Sequence, residues 1–338
     1  MKIGIVGDIH FSEYSSILRG RGMYYSTRLE NCVTSINWAE SATADCDQII
    51  YLGDFFDKSS LNAEEITALN AIKWNNKVHR FLVGNHEMGI NSLAYSSAHI
   101  FNDERREVID KAFLAYYDEG TELVFLPYVL EDNRTSLDDM FPPKQDGVSR
   151  IIFSHNDIAG IQLGQFISTA GYSIEEIERN CDLFFNGHLH NGMPITNKII
   201  NVGNLTGQNF SEDGFKYSHN IFILDTDTMT YEILENPHAI NFYKIEGAKN
   251  VKDLNRVKNA VVTVKVKADI APELKRKMDE DPNIIASRLI IDYGKSEKKD
   301  IESLSVDHLE EFRKFVYTRL EGEVDSELLR EEVEHIYV

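Results

Sequence analysis

Five short apolar runs recur in the first 185 residues, and each ends in a small group of polar residues. With the groups that follow them, they are KIGIV before GDIH (7–10), QIIYL before GDFFD (53–57), RFLV before GNHE (84–87), RIIF before SHND (154–157) and DLFF before NGHLH (186–190). Continuous runs of four or five β-branched and aromatic residues are typical of strands buried on both faces. The pattern therefore predicts five buried strands.

Longer stretches with helical spacing of apolar residues separate these runs. They cover residues 26–42, 63–76 and about 104–117. Strands that alternate with helices indicate an α/β architecture built in layers. Residues 195–235 (ITNKIINVG, NIFILDT and MTYEILE) read as antiparallel strands, with a hairpin turn at DTDT (225–228).

The chain divides by pattern into three parts, at residues 1–237, 238–300 and 301–338. The second part has strand-like runs at 260–268 and 287–294 around a helix-like stretch at 271–281, which predicts a small α+β module. The third part shows two apolar helical stripes separated by Gly322, which predicts a helical hairpin. That hairpin either packs on its own domain or docks the helices of a partner.

Composition narrows the setting of the chain. The 338 residues carry a formal charge of −20, yet residues 244–300 hold 14 Lys/Arg against 10 Asp/Glu, a local balance of +4 that leaves −24 for the rest. No apolar run is long enough to cross a membrane. The three cysteines have no CxxC spacing, which favours free thiols in a cytoplasm.

Seven side chains that can bind a metal ion follow the five apolar runs. They are Asp8, His10, Asp54, Asn85, His155, His188 and His190. Ligands bind at the carboxyl ends of strands in open α/β sheets, so we expect these side chains to meet there. Residues two apart in an extended chain project to the same side, so each DxH or HxH pair can face one site.

Each motif alone has an ordinary explanation, because Gly-Asp and Asp-x-His are common in turns. Their ordered recurrence after five strands favours a metal site instead. Mixed carboxylate, imidazole and amide ligands suit Mn²⁺, Fe²⁺ or Zn²⁺. Seven ligands are too many for one catalytic ion but suit two, with a carboxylate such as Asp54 shared between them. Such a site is suited to phosphoester hydrolysis.

The ordered set GDIH, GDFFD, GNHE, SH and GHLH resembles the calcineurin-like metallophosphoesterases over residues 1–237. The resemblance implies a four-layer α/β/β/α sandwich. It would place Asp8, His10, Asp54 and His190 on one ion and Asp54, Asn85, His155 and His188 on the other. His86 would be the catalytic residue that faces the scissile phosphate, with Asp57 or Glu87 as the carboxylate that orients its ring.

Within that family the layout resembles the SbcD-type nuclease subunits more than the protein Ser/Thr phosphatases. The latter continue their first two motifs with glycine and with Arg-Gly, where this chain has Phe11 and Lys58-Ser59. Three features support the SbcD-type layout. They are the segment after GHLH (202–214), the net-basic module at 238–300, which would be a DNA-binding cap, and the terminal hairpin. Members of that group usually carry GNHD, where this chain has Glu87.

That resemblance implies a metal-dependent DNA nuclease, with exonuclease action on duplex ends and endonuclease action on single strands or hairpins. The cofactors would be two divalent ions, Mn²⁺ in preference to Mg²⁺, with a hydroxide between them as the attacking group. The partners would be DNA and an SMC-like coiled-coil ATPase of SbcC type, in a heterotetramer built on a homodimer of this chain, without a membrane. The expected location is the cytoplasm, or the host cytoplasm if a phage encodes the chain.

Two other functions compete with this one. A nucleotide or small-molecule phosphodiesterase on the same fold would need neither a basic cap nor a docking hairpin. A scaffold without catalysis would be expected to have lost ligand residues, and here all seven positions are filled. The chain lacks a GxxxxGK[ST] motif, so any dependence on ATP must come from a partner.

Overall fold

A computed structural model describes residues 1–15, 17–118, 120–163 and 166–292. Its α-helices are α1 (Thr27–Ala42), α2 (Ala63–Leu69), α3 (Leu137–Met140), α4 (Ile174–Asn180) and α5 (Ala271–Glu280). Short 3-10 helices span Ser97–Phe101, Glu131–Asn133 and Ala248–Arg256. The helix predicted at 26–42 is confirmed.

The described strands, in chain order, are β1 (Lys2–Val6), β2 (Gln48–Tyr51), β3 (Val78–Leu82), β4 (Met88–Gly89), β5 (Ser92–Ser96), β6 (Arg106–Ile109), β7 (Phe113–Asp118), β8 (Thr121–Leu126), β9 (Ser149–Ser154), β10 (Ile158–Ala159), β11 (Gln162–Leu163), β12 (Phe166–Ile167), β13 (Tyr172–Ser173), β14 (Leu183–Asn186), β15 (Met193–Pro194), β16 (Ile199–Asn201), β17 (Asn220–Asp225), β18 (Thr230–Glu235), β19 (Asn241–Glu246), β20 (Ala260–Val266) and β21 (Ile284–Ile291).

Two six-stranded sheets carry the five strands that the apolar runs predict. The first has the order β18-β17-β1-β2-β3-β6, in which β1, β2, β3 and β6 run parallel. The second has the order β15-β16-β14-β9-β8-β7, with β16, β14, β9 and β8 parallel. The predicted hairpin between β17 and β18 is also confirmed. Within each sheet the motif strands are neighbours and parallel. The polar groups that follow β1, β2 and β3 therefore emerge at one end of the first sheet, and those that follow β9 and β14 at one end of the second.

Three buried clusters hold helices and sheets together. Ile36 of α1 packs with Phe81 on one face of the first sheet. Ile50 and Phe153 belong to a cluster between the two sheets. Ile177 of α4 packs on the far face of the second sheet. The packing order is therefore helix, sheet, sheet, helix, and the α/β class is confirmed; each buried side chain of this size contributes about 1.5–3 kcal/mol.

The helix predicted at 104–117 is wrong, because this stretch forms β6 and β7. The open edge of β3 needs a backbone partner, and β6 supplies it by pairing parallel to it, with Val108 opposite Phe81. Strand β7 pairs with β8, a fully buried strand at residues 121–126 that the pattern of runs did not single out. The apolar residues of 104–117 fit the spacing of a helix as well as that of a strand. The strand forms because the backbone groups at the sheet edges need hydrogen-bond partners.

Two further boundaries differ from the prediction. The helix expected at 63–76 ends at Leu69, because the backbone N–H of Asn75 donates to Glu40 Oε2 at 3.0 Å and its side-chain amide donates to the Glu40 carbonyl at 3.0 Å. The segment ITNKIINVG belongs to the second sheet, where β16 pairs parallel to β14, rather than to an antiparallel set with β17.

The small module at 238–292 is a three-stranded sheet in the order β19-β20-β21 with α5 packed against it. The predicted strands and helix are present, and β19 is an additional strand parallel to β20. By contacts, residues 1–266 and 270–290 form one compact unit. The domain limits at 237 and 300 stay predictions, and the helical hairpin expected at 301–338 lies outside the described residues.

Within the described residues, no helix has the length and apolar character that a bilayer crossing requires. The three cysteines, Cys32, Cys46 and Cys181, are free and buried, as the sequence predicts.

Candidate metal centre

All seven predicted ligand side chains lie at the carboxyl ends of motif strands, in two groups. Ligand atoms of Asp8, His10 and His190 lie within 4.8 Å of one another, and so do those of Asp54, His155 and His188. Asn85 joins the second group, because its Oδ1 is 3.0 Å from His188 Nδ1 and 3.2 Å from His155 Nε2.

Three of these residues have a left-handed backbone, namely His10 (φ 50°), Asp54 (φ 46°) and His188 (φ 72°). Such conformations are costly for residues other than glycine and concentrate at functional sites. They also change the expected geometry. Spacing alone would allow His188 and His190 to face one site as an extended pair, whereas the family resemblance places them on different ions. They fall into different groups, because the chain turns at His188.

Two glycines permit this close packing. A Cβ on Gly84 would lie 2.2 Å from Asp54 Oδ1 and 2.5 Å from the Asp54 backbone nitrogen. A Cβ on Gly53 would lie 2.4 Å from His155 Nδ1, and Gly53 has a φ of +102°. Both motifs therefore require glycine before their ligand residue, because no side chain fits between neighbouring strand ends.

Asp54 lies between the two groups. Its Oδ2 is 3.2 Å from His155 Nε2 and 3.8 Å from His10 Nε2. Its Oδ1 accepts a hydrogen bond of 2.9 Å from the backbone N–H of His86, which fixes the rotation of the carboxylate. This is the position that a carboxylate shared by two ions must take.

Each of the four imidazoles in the two groups has an acceptor on its other ring nitrogen. The four contacts are His10 Nδ1 to Asp57 Oδ1 at 3.1 Å, His190 Nδ1 to Glu212 Oε1 at 3.2 Å, His188 Nε2 to Asp157 Oδ1 at 3.2 Å and His155 Nδ1 to the Leu52 carbonyl at 2.7 Å. Such partners orient metal-binding imidazoles and raise their basicity. Sequence reasoning missed Asp157 and Glu212; the only available signal was an acidic residue within SHND and within the segment that follows GHLH.

The donor set fits a cation. Because the outer nitrogens donate to oxygen, the inner nitrogens of neutral rings present lone pairs, and those of His10 and His190 face each other at 3.1 Å. Two imidazole nitrogens on one ion at about 2.1 Å lie roughly 3.0–3.4 Å apart. In addition, the buried Asp8 Oδ2 has no hydrogen-bond partner among the described residues. Acceptors that converge in this way need positive charge between them.

The carboxylates and imidazoles of the site shift one another's pKa. Burial lowers the pKa of His155, but the facing Asp54 and Asp8 carboxylates outweigh it and raise the pKa to about 9. Burial would raise the pKa of Asp54, but His155 and then His10 hold it well below its usual range. Burial lowers the pKa of His190, but the hydrogen bond to Glu212 outweighs burial, so the pKa is raised. A bound cation would replace these protons.

We expect metal binding to release protons and to strengthen as the pH rises. With a His155 pKa of about 9, the metal-free imidazole is protonated at pH 7 and must lose that proton to become a ligand. Below the pKa, the affinity should therefore rise about tenfold per pH unit for each proton displaced. Titration calorimetry with Mn²⁺ at pH 6.5–8, in buffers with different ionisation enthalpies, measures the proton count. An affinity that does not change with pH would contradict the prediction.

His86 differs from the seven ligand candidates by its exposure. Its side chain is 45% exposed, whereas that of His10 is fully buried. Its Nδ1 lies 3.3 Å from the Asp57 carbonyl and 3.7 Å from Asp57 Oδ1, and its ring stands edge-on to His10 with 4.6 Å between centroids. A hydrogen bond from Nδ1 to Asp57 leaves Nε2 as the nitrogen available to a substrate. The ring is also within 4.8 Å of ligand atoms of His10 and Asp54.

Glu87 points away from His86 and joins two motif loops. It is fully buried, and its two oxygens accept hydrogen bonds from the backbone N–H groups of Gly84 (2.9 Å) and Phe56 (3.0 Å). Burial, and after it the nearby Asp54 charge, raise the pKa of Glu87 to about 8. The two N–H donors favour the ionised carboxylate and oppose this shift. Of the two carboxylates considered for orienting His86, Asp57 is therefore the one in position.

Replacing Glu87 by alanine should destabilise the protein by about 3 kcal/mol, because two buried backbone N–H groups lose their acceptor. Urea denaturation of the metal-free proteins measures this difference. Glu232→Ala is the control, at an exposed glutamate of β18. Equal stability of Glu87→Ala and wild type would show that water replaces the carboxylate.

Comparisons with known proteins give a family match and a weak structural similarity. Residues 1–192 match the family model described as calcineurin-like phosphoesterase. Among solved structures, the chain is similar to the crystal structure of TT1561 of Thermus thermophilus, at 10% identity, with 69% of this chain and 98% of that chain covered and a TM-score of 0.37. No curated protein sequence matches the chain.

Proposed function

Because the chain belongs to the calcineurin-like phosphoesterases, a family of metal-dependent phosphoester hydrolases, we propose that it is a DNA nuclease of SbcD type. The observation that carries the catalytic part is the convergence of seven ligand side chains in two groups around Asp54. In this proposal Asp8, His10, Asp54 and His190 hold one ion, and Asp54, Asn85, His155 and His188 hold the other. Mn²⁺ is the expected metal, with Mg²⁺ as the alternative.

The residues of the chain position and protonate the substrate. Two bound ions would supply Lewis acidity for phosphoester hydrolysis, and the seven side chains named above would hold them. The four outer acceptors hold the imidazoles in one tautomer, so that lone pairs face the ions. His86, which Asp57 orients, is within reach of a phosphodiester at the exposed side and donates a proton to the leaving oxygen.

The net-basic module supports DNA as the substrate. Several of its lysine and arginine side chains are exposed, namely Lys244, Lys252, Arg256, Lys258, Arg276, Lys277 and Arg288. Lysine and arginine contacts to phosphates supply most of the sequence-independent affinity of DNA-binding proteins. An SMC-like coiled-coil ATPase and a second copy of this chain complete the proposed assembly, with the hairpin that the sequence predicts for residues 301–338 as the docking element.

The test is a cleavage assay with added Mn²⁺ on end-labelled duplex and hairpin DNA, run with and without a candidate coiled-coil ATPase. The proposal expects Mn²⁺-dependent shortening of duplex ends and opening of hairpins. An aryl phosphodiester serves as a small substrate in parallel. If the protein hydrolyses the aryl ester but leaves DNA intact both with and without the ATPase, the nuclease proposal is wrong. A nucleotide or small-molecule phosphodiesterase would then be the better assignment.

A further inference from the structure

The tip of the hairpin between β4 and β5 has an unfavourable residue. Gly89 pairs with Ser92, so Ile90 and Asn91 form a two-residue turn. Both have positive φ, 45° and 53°, which is the signature of a type I′ turn. Asn-Gly and Asp-Gly are preferred there, and a β-branched residue with positive φ is a strained outlier. Isoleucine therefore works against the local stability of this turn.

The side chain of Ile90 offers no packing to offset that strain. It is 84% exposed, more than any other large apolar side chain among the described residues. An exposed isoleucine at a strained position favours neither stability nor solubility. Residues that do not suit their local backbone conformation occur mostly at functional sites.

A cavity links the hairpin to the candidate metal centre. Ile90 follows His86 by four residues, and the neighbouring Asn91 and Leu93 line a cavity of about 290 Å³. Tyr128 lines the same cavity, and its ring centroid is 5.9 Å from that of His188. The cavity thus connects the hairpin to an aromatic ring that contacts a candidate metal ligand.

We propose that Ile90 is an unstacking wedge that enters the base stack at a duplex end, and that the cavity receives the freed base against Tyr128. The inference rests on the proposed DNA substrate. Apolar side chains that enter between base steps are a known way to open a duplex, and aromatic rings bind single bases by stacking. The lining suits a base, because it combines apolar residues with residues that can hydrogen-bond. The apolar ones include Leu93, Pro127, Leu130 and Met140, and the polar ones are Asn91, Ser92, Asp110, Lys111 and Asn133.

The first test measures unstacking directly. Duplex DNA with 2-aminopurine at its terminal position is titrated with protein without added metal, so that no cleavage occurs. Wild type should raise the fluorescence of the base at saturation, and Ile90→Asn should raise it less than half as much. Asparagine tolerates positive φ, so this variant keeps the turn while removing the apolar side chain. Ile167→Asn, at an isoleucine that is 67% exposed, is the matched control and should behave like wild type.

The second test compares substrates under the conditions that support cleavage. Ile90→Asn should cleave paired duplex ends about tenfold more slowly than wild type, but ends with unpaired terminal bases at the wild-type rate, because those need no unstacking. Its Tm should be higher, since the strained isoleucine is gone. Equal loss on both substrates, or no loss on either, would overturn the wedge. A change in oligomeric mass with unchanged fluorescence would assign Ile90 to a protein interface. If wild type neither binds nor cleaves DNA, the nuclease proposal itself fails.

Discussion

Replacing Asp54 by asparagine is expected to abolish phosphoester hydrolysis, with a loss of at least about 10³-fold in kcat/KM. Asparagine keeps the shape of the side chain and an oxygen for the hydrogen bond from His86 N–H. It replaces the oxygen that lies between His10 and His155 by an NH₂ group, which repels a cation. Because Asp54 is common to both candidate ions, one substitution should weaken the binding of both.

Metal content by mass spectrometry after dialysis, together with rates on the aryl phosphodiester, measures this effect. Asp227→Asn is the control, because that carboxylate is 76% exposed and bonds only the terminal amine in the described residues. Wild-type rates in Asp54→Asn, or the loss of one ion with the other retained at full affinity, would show that the carboxylate is not shared.

Replacing His86 by alanine is expected to slow cleavage by about 10²–10⁴-fold while both ions stay bound. The ring is exposed and contacts Asp57 rather than a buried acceptor, so its loss should leave the seven proposed ligands in place. A leaving group of low pKa, such as an aryl oxide, needs no proton and should suffer a smaller loss than DNA.

Metal stoichiometry decides between two roles for this residue. Ligand atoms of His86, His10 and Asp54 lie close enough to hold an ion, so a ligand role would appear as the loss of one bound ion in His86→Ala. His238→Ala, at an exposed histidine of the small module, controls for removal of a surface imidazole.

The sequence predicted where the candidate ligand side chains lie, because each of them follows a strand that the local pattern already indicates; their role as ligands stays a prediction. Each apolar run ends at a motif, and parallel pairing of β1, β2 and β3 brings Asp8, Asp54 and Asn85 to one edge without further assumptions. The split of His188 and His190 was not predictable from spacing, since it depends on one left-handed residue. Backbone conformation after a strand is set by neighbours that are distant in sequence.

The acceptors on the outer nitrogens of the imidazoles were also not predicted, because they too depend on contacts between residues that are distant in sequence. Glu212 reaches His190 from 22 residues away, and nothing in a short acidic segment indicates such a contact. The roles of Asp57 and Glu87 were equally undecided until the fold placed one oxygen at 3.7 Å from His86 and buried the other carboxylate between two loops. The strands at 106–109 and 113–118 were mistaken for a helix because pairing partners, not periodicity, determine them.

The segment that carries Glu212 also holds the small three-stranded sheet. Gly207 and Gly214 donate backbone hydrogen bonds to the carbonyls of Ile240 (2.9 Å) and Phe242 (3.0 Å) on either side of Glu212. A movement of β19 away from this segment would therefore also shift Glu212, whose carboxylate orients His190. If DNA or a partner that displaces this sheet changed the metal affinity by some factor, metal binding would change the affinity for that DNA or partner by the same factor. Two backbone hydrogen bonds therefore link the three-stranded sheet to the residue that orients His190, a proposed ligand of the first ion.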